Sequence, residues 1–109
     1  MITPGASFKD NLQLLPSIDG IARIDLIQAD GSVLASIENQ PGKQGSLTVY
    51  QYLHQTFGTI DTRAAEHGIA VFAEHTADAK QRPGAHPNID LLFDVINRGI
   101  ALTAKIIPT

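Results

Sequence analysis

Four histidines, His54, His67, His75 and His86, are the side chains of this chain able to gain or lose a proton near neutral pH, and two of them share the stretch IAVFAEHTADAKQRPGAHPNID, residues 69–90. Imidazole is the side chain whose ordinary titration falls between pH 5 and 8, so His75 and His86 are the candidates for general acid or base work. Lys80, Arg82 and Asn88 stand beside them, and a second polar stretch, NQPGKQGS at 39–46, supplies Lys43, Gly45 and Ser46. Bases and hydroxyls at a helix start are the ingredients of a site for phosphate or carboxylate, because the first amides of a helix lack partners and its N-terminal end is electropositive.

Each of these residues also has a plainer reading. The glycines shape turns, the bases are solvated, Ser46 and Asn88 cap helices, and His75 bonds backbone at the end of a strand. A nucleotide-binding P-loop is excluded, since GxxxxGK must run directly into Ser or Thr. Here Lys43 follows Gly42, and Gly45 comes only three positions after that glycine. Among His54, His67, His75, His86, Glu74 and Asp90 there is no HxH or HExxH spacing, and no serine sits in GxSxG. Neither a metal nor a cofactor is expected.

The elements that must position these groups follow from apolar spacing. Ser7 caps a short helix with Phe8, Leu12 and Leu15 on one face, after a loose flexible end at residues 1–6. Asp30-Gly31 between two apolar runs predicts a two-residue hairpin turn, which sets Leu26 against Ala35, Ile24 against Ile37, Asp25 against Ser36 and Arg23 against Glu38. Val33 then joins the core face, and Arg23 and Glu38 make a cross-strand ion pair. Helices are expected from Ser46 to Phe57, from Asp61 to His67 with Gly68 as the stop, and from Asn88 to Arg98 before Gly99. Strands are expected at the start of 69–90 and from Ile100 to Ile107.

The fold predicted is a single α+β domain over 1–109 in the order αββααβαβ: a four-stranded mixed sheet, an N-terminal β-hairpin plus two helix-linked parallel strands, covered by helices. Parallel strands would bring the loops ahead of Ser46 and Asn88 to one edge of the sheet, where open α/β sheets bind ligands. Lys43, Gly45, Ser46, Lys80, Arg82, His86 and Asn88 would then share one cleft.

Composition narrows the partners. Eleven acids against eight bases leave a net charge of −3, the wrong sign for phosphate neutralisation, so nucleic acid is not expected. Only 17% of residues are charged, against about 25% in ordinary domains, which leaves uncharged surface and favours a homo-oligomer, a homodimer foremost. No apolar run approaches the ~20 residues needed to span a bilayer, and the opening MITPGASFKD lacks the order of a secretion signal, so no membrane partner and a cytoplasmic location are expected. Zero cysteines exclude disulfides and thiolate chemistry.

The motif GAHPNID at 84–90, with the preceding AEHTADAKQRPG, resembles a family of small bacterial proteins described as a domain of unknown function, and the likeness runs over most of the chain. The resemblance implies a bacterial cytosolic protein and brings no activity, cofactor or ligand with it. Three readings therefore stand: an interaction or ligand-binding module holding a small anionic metabolite, a small enzyme using His75 or His86, and a purely structural subunit of a larger assembly.

Overall fold

The computed structural model describes residues 1–109, in the order α1 (Phe8–Leu12), β1 (Ile21–Ile27), β2 (Val33–Glu38), α2 (Gln44–Phe57), β3 (Thr59–Ile60), α3 (Thr62–Val71), α4 (Glu74–Gln81), α5 (Pro87–Arg98) and β4 (Leu102–Pro108). The four strands form one sheet in the order β2-β1-β4-β3, and every neighbouring pair is antiparallel. This corrects the mixed sheet with parallel strands. The fold class α+β holds, but the order αββααβαβ does not.

The correction has a local cause. Gly68 does not stop a helix; it lies inside α3, where a Cβ would sit 2.8 Å from Leu92 Cδ1 and 2.9 Å from Leu53 Cδ1. Its missing side chain lets α3 press against α2 and α5. The apolar run after it therefore finishes a helix instead of making a strand. What ends α3 is a pair of polar side chains: Thr76 Oγ1 donates to the Ile69 carbonyl at 2.6 Å and Asn11 Nδ2 to the Val71 carbonyl at 2.9 Å. Both satisfy carbonyls a helix C-terminus leaves without partners, and both residues are buried. The third strand is instead the two-residue β3, too short to leave a period in the sequence.

The hairpin keeps its expected register by an indirect route. The turn is three residues long, with Gln28 N–H donating to the Ser32 carbonyl at 2.8 Å and Gly31 N–H to the Gln28 carbonyl at 2.9 Å. Gly31, at φ 89°, supplies the left-handed position such a turn needs. A bulge at Leu34 then takes up the difference, so Leu26 still faces Ala35 and Ile24 faces Ile37. Val33, expected in the core, is 54% exposed. Arg23 stands opposite Glu38 but pairs with Asp25, Nε to Oδ1 at 2.9 Å.

One face of the sheet carries the core. Ile24, Leu26, Ile37, Leu102 and Ala104 meet Leu47, Tyr50 and Leu53 of α2 and, behind them, Leu92 and Val95 of α5. On the other face Arg23 and Ser36 bond the Asp25 carboxylate, which they hold below the usual carboxylate range. Residues 1–6 form no regular element, yet Ile2 N–H reaches Tyr52 Oη at 3.0 Å and Gly5 N–H reaches Asn11 Oδ1 at 2.8 Å.

Between α3 and α4 the backbone turns at Ala73, φ 53° and ψ −120°, a conformation that suits glycine and crowds a Cβ. Ala73→Gly is expected to stabilise the protein by about 1 kcal/mol, strain relief outweighing the larger chain entropy of the unfolded state. Thermal melts should show the midpoint rising by roughly 4 °C; a fall would mean that the turn is unstrained.

Candidate functional site

The cleft is assembled by helices, not by the edge of a parallel sheet. Tyr50 on α2 is fully buried, and its hydroxyl donates to the Asn88 carbonyl at 2.7 Å. That bond ties α2 to the first turn of α5. Burial also pushes the phenol far above its ordinary titration, so it stays a donor. Pro87 occupies the first turn of α5, where its missing N–H costs nothing.

A cavity of about 250 Å³ results, lined by Lys43, Ser46, His86 and Asn88 among others. It adjoins a second of about 240 Å³, which shares Gly42, Ser46 and His86 and adds Phe8, Gly45 and His75. Lys43, Gly45, Ser46, His75, His86 and Asn88 thus stand around one continuous cleft. Neither helix start carries a side-chain cap: the cap positions are Lys43 and His86, and no side chain bonds the first amides of α2 or α5 from them. Ser46 and Asn88, expected as caps, lie inside the first turns.

Two of the expected residues are elsewhere. Lys80 lines a shallow groove between α3 and α4 with Glu66, and its Nζ sits 5.7 Å above the Phe93 ring. Arg82 stands behind the cleft, its Nε donating to Asp78 Oδ1 at 2.9 Å. The same carboxylate bonds His86, with Oδ2 at 2.6 Å from Nε2. Asp78 is therefore held well below the usual carboxylate range, first by the Arg82 hydrogen bond and next by that of His86. The His86 ring in turn lies 5.5 Å from His75, centroid to centroid.

Asp78 went unread in the sequence, and Phe8 was read only as one of the apolar stripe Phe8, Leu12 and Leu15. Once 74–81 is a helix, Asp78 and Arg82 are one turn apart on one face, the spacing of a helical ion pair. Phe8 stacks on Phe72 at 5.2 Å and meets His75 edge-on at 5.1 Å, which nothing in the local pattern signals. The remaining histidines lie apart: His67 Nε2 is 2.7 Å from Tyr52 Oη, and His54 is on α2. Nowhere do three or more His, Asp or Glu side chains converge as a metal ion requires. No helix is long and apolar enough to cross a membrane.

The chain belongs to the family described as an uncharacterized protein conserved in bacteria (DUF2322), whose model matches residues 8–106. All the cleft residues named above fall inside the match. No curated protein and no solved structure matches the chain.

A carboxylate whose titration is depressed by folding contributes stability that is complete above its unfolded value, near pH 4, and is lost as pH falls through its folded one. Urea unfolding between about pH 2 and pH 7 is expected to show a less steep acid limb for Asp78→Asn than for the parent. Asp25, depressed as well, keeps part of that slope in both. Identical acid limbs would mean that the Asp78 contacts do not persist in solution.

Proposed function

We propose that the protein binds a small metabolite carrying a phosphate or carboxylate in the cleft between the starts of α2 and α5. The observation that carries this reading is the convergence of two uncapped helix starts with Lys43 and His86 at their cap positions and His75 alongside. The positive ends of two helices favour an anion, and protonated imidazoles would add to that. Asn88 is the open amide of the first turn of α5, because Pro87 has no N–H and Ile89 and Asp90 donate to the His86 carbonyl. The Asp78 carboxylate near the cleft is already neutralised by Arg82 and His86. The other cavities are less suited. The one of about 320 Å³ beneath the hairpin turn offers Asp30 as its sole charged side chain, and the groove at Lys80 sets Glu66 against it.

The enzyme reading has one observation in its favour. An aspartate on one imidazole nitrogen fixes the ring and leaves the other nitrogen to exchange a proton, the arrangement of His86 and Asp78. Self-association belongs to the proposal too, and what supports it is exposed Val33 and Leu34 on the edge strand β2.

The test is a titration with inorganic phosphate and with small carboxylates, followed by the amide resonances of Gly45, Ser46 and Asn88. Saturable shifts confined to these amides are expected, with affinity weakened about fivefold by Lys43→Ala, on the order of 1 kcal/mol. No saturable shift at these amides with any of the anions would remove the anion site. Binding that survives His75→Ala with His86→Ala would count against catalysis through the imidazoles.

A further inference from the structure

One wall of the cleft is Phe8, which lies on the bare backbone of Gly45, where a Cβ would sit 3.2 Å from the ring, and belongs to α1, a helix of five residues. So short a helix does not hold itself. Phe8 N–H donates to Glu74 Oε1 at 2.7 Å, and Asn11 ties Gly5 to the Val71 carbonyl. Ahead of Gly5 the fastening is a relay. Ile2 N–H donates to Tyr52 Oη at 3.0 Å, and that hydroxyl lies 2.7 Å from His67 Nε2.

The relay sets the protonation state of His67. With Tyr52 Oη accepting from Ile2, the phenolic proton goes to Nε2, which must be an acceptor, so the imidazole is neutral with its proton on Nδ1. A proton on Nε2 would aim two N–H groups at one oxygen. The phenolic proton, on a residue only 5% exposed, would lose its acceptor.

We propose that residues 1–4 form the end of a strap along one wall of the cleft, latched by neutral His67 through Tyr52, and that protonation of His67 releases that end. The groups facing the imidazole agree with this direction. From the strap comes the Met1 ammonium, which repels a charged His67; α2 presents the Tyr52 hydroxyl and the apolar Phe57 ring at 5.7 Å; on α3 itself Arg63 lies 5.6 Å from the centre of the Phe57 ring. Burial first, and then the Met1 charge, hold the imidazole below its ordinary value. A histidine depressed in this way contributes stability that is complete above about pH 6.5 and is lost as pH falls through its folded titration. Release of this end removes one fastening of the segment that carries Phe8, a consequence for the cleft wall that rests on the anion-binding reading; the latch itself does not.

Backbone amide protection of Ile2 and Gly5 tests the latch with no ligand present, so a failed anion titration leaves this result standing. As pH falls from about 7.5 to about 5, protection of the Ile2 amide, corrected for intrinsic exchange, is expected to drop about tenfold in step with the His67 ring resonances. Gly5, which bonds Asn11, should keep its protection over the same range, as should the β1 and β4 amides. His67→Gln, which offers an acceptor and does not titrate, should stay protected throughout. Tyr52→Phe should be unprotected at Ile2 at every pH. Protection that ignores the His67 titration, or His67→Gln losing it over the same range, would overturn the proposal, as would full protection at Ile2 in Tyr52→Phe.

Discussion

A phenol with no exposed surface must give its proton to something, and in this fold the recipient fixes the layout. Tyr50 sits in the core between α2 and the sheet, and the acceptor it finds is the carbonyl of Asn88. A buried hydroxyl left unpaired costs about 1–3 kcal/mol, so the bond holds the start of α5 against the body of α2. Lys43, Ser46, His86 and Asn88 meet because of that link. The sheet contributes only the surface on which α2 lies.

Around the cleft, charge and aromatic surface are arranged in series. Arg82 holds Asp78, Asp78 holds His86, and His86 faces His75, which meets the edge of Phe8. Three of the five members, His75, Asp78 and Arg82, come from α4 and its cap, His86 from the start of α5 and Phe8 from α1. The carboxylate is engaged on both oxygens, so it acts as a fixed negative point behind His86 rather than as a free acceptor.

How much of this was legible depended on whether a residue's role was local. Asp30 and Gly31 announce a turn because left-handed backbone is a local demand, and the register of Ile24 with Ile37 survived even though the turn gained a residue. Pro87 and Gly99 bracket α5 for similarly local reasons. Gly68 misled, because a glycine that ends a helix and one that lets three helices touch look alike until Leu53 and Leu92 are in place. That error turned the end of α3 and the start of α4 into a strand, left the rest of α4 as a loop and made the sheet parallel. Ser46 and Asn88 nonetheless came together as expected, though through Tyr50 and not through shared sheet edges. Asp78 was lost with the helix that carries it, and Phe8, legible as part of an apolar stripe, gave no sign of the cleft because its partners Phe72 and His75 are distant in sequence.

The position of β4 between β1 and β3 sets an order of events during synthesis. Its partners Ile21–Ile27 emerge early, whereas Leu102–Pro108 emerge after all five helices. Contacts so far apart in sequence are slow to form, since the intervening chain must be closed into a loop first. Until then the β1–β2 hairpin has an open flank, the unpaired edge of β1, available to any other nascent chain. A fold with its last strand in the middle of its sheet completes only once that strand has left the ribosome.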